Sequence, residues 1–102
     1  MELEPSWGLK TAAQQIWLGH AERIKAEGRW DAVDRDALTT YAATLATYRE
    51  LQAVVDDAGV LVSGRNGELV KNPILSALTA TRDGLLRLSR AVPLVDSAAR
   101  GR

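Results

Sequence analysis

Few residues in this chain of 102 have side chains suited to chemistry. There is one histidine and no cysteine. His20 falls on the apolar side of the first predicted helix. Metal sites and catalytic triads need partners that spacing reveals, and none accompanies it, so His20 reads as a partly buried structural histidine. Without cysteine there is no disulfide and no thiolate, and the redox compartment stays open. The run Ser63-Gly64-Arg65-Asn66-Gly67 carries two glycines but does not meet the phosphate-loop pattern, and it reads as a turn. No nucleophile elbow is present. Carboxylates gather at Asp31, Asp34 and Asp36 and again at Asp56-Asp57. The first group fits the capping of a helix start. The second sits at a helix C-terminus, where the dipole disfavours it. It reads as a solvated face, or as a partner for a basic residue of a neighbouring subunit. Neither group supplies enough oxygen ligands for a metal ion. With no constellation of acid, base and nucleophile to name, the chain reads as a non-enzyme with no cofactor and no metal.

Arginine is left as the chemically active residue type. Arg65 projects at a predicted hairpin tip, Arg82, Arg87 and Arg90 lie on the last predicted helix, and Arg100 and Arg102 lie in the tail. Net charge is zero, with thirteen basic residues against thirteen acidic. The distribution is uneven: residues 1–70 carry seven Lys/Arg against eleven Asp/Glu, whereas residues 71–102 carry six against two. A basic end suits contact with a polyanion. It equally suits subunits stacking acidic end to basic end, or ordinary surface charge. Phosphate contact needs fixed positive charge that displaces condensed counterions. These six arginines, Arg65, Arg82, Arg87, Arg90, Arg100 and Arg102, are therefore the candidate nucleic-acid contacts. No zinc finger, RNA-binding sheet or helix-turn-helix pattern accompanies them.

Three helices and a hairpin must position these residues. Leu9, Ala13, Ile16, His20 and Ile24 recur at three- and four-residue spacing, with Trp17 beside the stripe, and predict a helix from Leu9 to Ala26, ended by Gly28. Asp34 is a candidate N-cap with the Ala37 N–H as its partner, and Asp31 is a second candidate. The helix that follows runs to Ala58 on a broad stripe of Leu38, Tyr41, Ala42, Leu45, Tyr48, Gln52 and Val55. Ala and Thr positions beside the stripe leave room for another helix. From Gly59 to Pro73 the character becomes β-like. Val60, Leu61 and Val62 face Leu69 and Val70 across Asn66-Gly67, which suits a type I′ turn with Arg65 and Glu68 as a cross-strand charge pair. Gly59 reads as a helix C-cap, and Asn72-Pro73 as the N-cap and first residue of a third helix running to Arg90. That helix carries a heptad-like seam of Ile74, Leu78, Thr81, Leu85, Leu88 and Val92. Gly84 within it suggests close approach of another backbone, and Pro93 stops it.

The predicted fold class is mainly α: three helices with a short β-hairpin between the second and third. One domain covers residues 1–95 with its hairpin at about 60–71, and residues 96–102 form a disordered basic tail. The core is light, since phenylalanine is absent. A lone hairpin is marginal in water and must pack on a helix or add its edge to another chain. Assembly is therefore expected, through Val60, Val62, Asn66, Gly67 and Leu69 of the hairpin and Leu78 and Leu85 of the seam. The N-terminus lacks a secretory signal, and no stretch approaches the ~20 apolar residues of a membrane span. The chain reads as soluble and intracellular.

The order of these elements resembles the small subunits of tailed-phage terminases. The resemblance rests on Asp36-Ala-Leu-Thr-Thr-Tyr-Ala-Ala-Thr-Leu-Ala-Thr-Tyr-Arg-Glu-Leu, then Asp57-Ala-Gly-Val-Leu-Val, the Asn-Gly turn, Lys71-Asn-Pro and an apolar helix. Trp30 precedes the acidic start and Tyr41 follows on the helix. The resemblance covers residues 28–92. It implies a ring-forming homo-oligomer in the bacterial host cytoplasm that recognises double-stranded viral DNA. Such a subunit hands the DNA to a terminase large subunit, which supplies the ATPase and nuclease. After the last helix, where family members often carry Gly-Leu, Pro and Arg, this chain reads Ala91-Val-Pro-Leu-Val-Asp-Ser-Ala-Ala-Arg. The competing reading is a helical oligomerisation or regulatory module that binds only protein. Salt-dependent retention on DNA separates the two.

Overall fold

The computed structural model describes residues 3–91. Helix α1 spans Thr11–Ala26, a single 3-10 turn spans Trp30–Ala32, and helix α2 spans Arg35–Ala58. Strands β1 (Leu61–Ser63) and β2 (Leu69–Lys71) form an antiparallel hairpin, and helix α3 spans Ile74–Ala91. The architecture is the expected one, three helices with a two-stranded hairpin between the second and third. Val92, Pro93 and the predicted tail, with Arg100 and Arg102, lie outside the described residues.

Local chemistry explains most boundaries. Helix α1 begins two residues later than its apolar pattern suggests, because no side chain caps its N-terminus at Lys10. At its other end Gly28 donates to the Lys25 carbonyl and Arg29 to the Ile24 carbonyl, the paired bonds of a Schellman stop. The Asp34 carboxylate accepts from the Ala37 N–H at 3.0 Å and opens α2. Gly59 closes α2 at φ 94° and ψ 169°, a backbone region open essentially only to glycine. Its N–H donates to the Val55 carbonyl.

The cluster of fully buried hydrophobic residues joins α1 to the first turns of α2. Trp17, Ala21 and Ile24 of α1 pack on Leu38 and Ala42 of α2, all fully buried. Trp30 meets Trp17 edge-on at 5.9 Å, and the Arg35 guanidinium lies 5.3 Å over the Trp30 ring. The stripe of α1 is thus rotated from the predicted one. Trp17 and Ala21 are at its centre, while Ile16 and His20 are half-buried flanks. An indole covers more area than any of its neighbours, so its burial sets the rotation of the helix. Thr39, also fully buried, donates to the Arg35 carbonyl at 2.8 Å and accepts from the Ser6 N–H at 3.0 Å. It thereby ties the N-terminal segment onto α2.

Helix α3 packs back along α2 through the predicted seam. Leu85 is buried, and Ile74, Leu78, Thr81 and Leu88 are half-buried. The partner helix implied by the heptad spacing is α2 of the same chain. No backbone approaches Gly84, contrary to the expectation, since an added Cβ would meet nothing nearer than Arg87 Nη2 at 3.9 Å. Helices α1 and α3 each pack mainly on α2. The result is a thin slab of 57 × 34 × 17 Å with a radius of gyration of 17.1 Å. A compact domain of this length would have about 13 Å.

The hairpin differs in detail from its prediction. Leu61 pairs with Lys71, Val62 with Val70 and Ser63 with Leu69. Gly64 donates to the Glu68 carbonyl at 2.6 Å, and Gly67 donates to the Gly64 carbonyl at 3.1 Å. The loop is therefore three residues, Arg65-Asn66-Gly67, with only Gly67 at positive φ (82°). This is a type I turn closed by a glycine bulge rather than a two-residue I′ turn. Arg65 and Glu68 are not cross-strand partners. The Glu68 carboxylate instead accepts from the Asn66 N–H at 3.0 Å. That bond rewards the bulged register, and pairing shifts by one residue relative to the predicted one. Gly64 leaves room for this arrangement, because a Cβ there would run into the Glu68 carboxylate.

Candidate nucleic-acid interface

Three surfaces of the slab bring together the candidate residues or expose charge and apolar side chains. The first is the outer face of α3. Taking about 100° per residue, Arg87 and Arg90 lie about 60° apart and both point well away from the Leu85 seam. Both side chains are exposed, with no ion pair or hydrogen bond among the described residues. Arg82 stands about 140° from Arg87, on the flank of the seam. Its Nε lies 3.8 Å from an Asp83 carboxylate oxygen, both side chains more than half exposed. Such a pair contributes little to stability and reduces the local positive field. The structure therefore groups Arg87 with Arg90 and sets Arg82 apart.

The second surface is the hairpin. Arg65 stands exposed at its tip. The hairpin leads into the start of α3, whereas Arg90 lies near that helix's other end, about 24 Å along its axis from Ile74. Strand pairing places Val62 opposite Val70, both half-buried, while Leu61, Ser63, Leu69 and Lys71 are exposed. Leu69 is 69% exposed and Val60 58%. The hairpin barely packs on the helices of its own chain. Asn72 holds its base instead. Its N–H donates to the Val60 carbonyl at 2.8 Å and its Nδ2 to the Gly59 carbonyl at 2.9 Å. Its Oδ1 accepts from the Ile74 N–H at 3.0 Å, capping α3 with Pro73 as the first residue after the cap. Asn72 is 4% exposed and joins the end of α2, the strands and the start of α3. The Asn-Pro spacing reveals the cap, but nothing in the sequence reveals the two bonds back to Gly59 and Val60.

The third surface is a groove between α1 and α2 that the sequence does not announce. Arg23 and His20 enter it from α1 and Arg49 from α2. Arg23 Nη2 lies 3.1 Å from His20 Nδ1, and the imidazole rests edge-on against Tyr41 at 5.6 Å. Burial lowers the pKa of His20 from its ordinary value, and the charges of Arg23 and Arg49 lower it further. The histidine is partly buried, as expected from the sequence. The spacing of His20 and Arg23 places them on one face of α1, but only the fold brings Arg49 to them. Among the described residues no cluster of three or more His, Cys, Asp or Glu could hold a metal ion, and no helix is long and apolar enough to cross a membrane.

Residues 13–99 match the family model described as phage terminase, small subunit, and the chain belongs to that family. Comparison with curated proteins and with solved structures finds no significant match.

Proposed function

We propose that the protein is a non-catalytic, oligomeric adaptor that recognises double-stranded DNA for viral genome packaging. It would act in the bacterial host cytoplasm and pass the DNA to the terminase large subunit, which supplies ATPase and nuclease activity. The match to the phage terminase small-subunit family across residues 13–99 carries this reading. Two features of the fold support it. Arg87 and Arg90 form an outward-facing pair of cations suited to phosphate oxygens. The hairpin exposes Val60, Leu61 and Leu69 and stands nearly clear of its own helices, so a second subunit is its natural cover. A heterologous contact repeated around an axis closes into a ring. Copies of Arg87 and Arg90 would then face one duplex together, with Arg82, Arg100 and Arg102 as further candidate contacts and Arg65 as a second candidate, and avidity would replace single-site affinity.

The test combines light scattering with duplex binding across a salt series. The proposal requires an oligomer at tens of micromolar, a working concentration on the order of that needed to populate specific assemblies. It also requires DNA affinity that falls steeply as salt rises. An oligomer with no salt-dependent affinity for DNA would favour the alternative, a helical assembly module that binds only protein.

A further inference from the structure

Arg23 and Arg49 belong to the acidic part of the sequence, yet the fold turns both toward one groove between α1 and α2. Gln15 and Gly19 line the same groove. A Cβ at Gly19 would meet nothing within 4 Å, so that wall stands open. Arginine has only donors, so in the 3.1 Å contact with Arg23 it is His20 Nδ1 that accepts. The neutral imidazole then carries its proton on Nε2. Arg23 has one carboxylate neighbour, Glu27 at 3.4 Å, and both side chains are about one-third exposed. Arg49 has no hydrogen bond or ion pair among the described residues. Two guanidiniums and a half-buried imidazole therefore share a groove that no carboxylate lines, and Glu27, which meets Arg23, is shared with Arg29. An anion placed there would relieve the mutual repulsion of the cations.

We infer that the α1–α2 groove binds a phosphate of a nucleic-acid backbone, held between Arg23 and Arg49 with the His20 ring beside them. The inference rests on the DNA-binding reading above. Guanidinium forks match the oxygens of a phosphodiester in paired, directional hydrogen bonds. The groove is open rather than closed over a small ion, which leaves room for a polymer to continue past the bound group. It lies on a different part of the slab from Arg87 and Arg90, so it would add a contact of its own. The charged and titratable groups around the His20 ring are Arg23 on α1 and, beyond it, Glu27 just past the end of α1 with its partner Arg29, together with Arg49 and the Tyr41 phenol on α2. A phosphate bound between the arginines would offset their field and ease protonation of the ring.

His20 is the only histidine of the chain, so its imidazole resonance is an unambiguous NMR reporter. The experiment uses the full chain and an Arg49→Gln variant shown to keep its oligomeric size. Fluorescence anisotropy with a labelled duplex across about 50–300 mM salt should show the variant binding about three- to tenfold more weakly, with a salt slope shallower by about one. The duplex should raise the titration midpoint of His20 in the wild type and leave it unmoved in the variant. Unchanged affinity and slope in the variant, or a His20 midpoint indifferent to the duplex, would overturn the groove assignment while leaving the DNA reading intact. If the wild type binds no duplex, the DNA reading fails and the backbone-phosphate assignment fails with it. Inorganic phosphate on the same resonance then decides whether an anion site of any kind remains. A midpoint shift produced equally by polyglutamate would identify an acidic protein segment as the ligand and overturn the inference.

Discussion

Replacing Asn72 tests whether one buried amide joins the two halves of the molecule. Asn72→Ala removes two side-chain hydrogen bonds, Oδ1 with the Ile74 N–H and Nδ2 with the Gly59 carbonyl. Loss of an N-cap costs about 1 kcal/mol. Loss of the second bond at a site 4% exposed leaves the Gly59 carbonyl short of a partner and costs about 1–2 kcal/mol more. The sum is about 2–3 kcal/mol, which for a domain of this size lowers Tm by roughly 10–20 °C. Asn72→Ser separates the two terms. A serine hydroxyl can still cap α3 but does not replace the Nδ2 donor, so it should recover about 1 kcal/mol. Urea denaturation at one fixed protomer concentration measures both variants, since assembly makes apparent stability depend on concentration. Hydrogen exchange should locate the loss at the first turn of α3 and at the base of the hairpin. A change under about 0.5 kcal/mol for alanine, the range of an ordinary surface substitution, would refute the anchoring role. Serine as damaging as alanine would refute the division into cap and tie.

Four further outcomes follow. Gly67→Val forces a β-branched residue to φ 82° in open space, so it should cost about 1–2 kcal/mol through backbone strain alone, and an unchanged melting temperature and gel-filtration size would contradict the bulged turn. Leu69→Ser changes a side chain that is 69% exposed. It should leave helix content unchanged while shifting the oligomer toward smaller species in light scattering. Arg87→Ala combined with Arg90→Ala, in a variant of unchanged oligomeric size, should weaken duplex binding and flatten the salt slope by roughly one unit for each phosphate that is no longer neutralised; intact binding with a weakened oligomer would make these arginines interface residues. His20 has a folded-state pKa below its unfolded value, so the unfolded chain takes up its proton first on acidification. This contribution to stability is full above about pH 6.5, the unfolded value, and is lost as pH falls below it. His20→Gln should show a smaller loss between pH 7 and pH 5 in urea titrations.

What could be read from the sequence was whatever depends on neighbours along the chain. The Asp34 cap, the Gly28 and Gly59 stops and the Asn72-Pro73 start are local hydrogen-bond and dihedral constraints, and each fell at its expected residue. The seam of α3 was legible because its three- and four-residue spacing survives into one buried stripe. The rotation of α1 was not, because apolar residues occur on several sides of that helix, and burial of Trp17 against Leu38 and Ala42 across the interface chose among them. The turn register was equally undetermined. Asn66-Gly67 suits two turn types, and the reach of the Glu68 carboxylate to the Asn66 N–H favoured the bulged one. Of the candidate DNA-binding residues, the spacing of Arg87 and Arg90 placed them together, since three residues bring two side chains to one side of a helix. The meeting of Arg23, His20 and Arg49 needed two helices to pack in a particular register. That register is set by the side chains filling the space between α1 and α2, and a charge pattern read along the chain carries no trace of it.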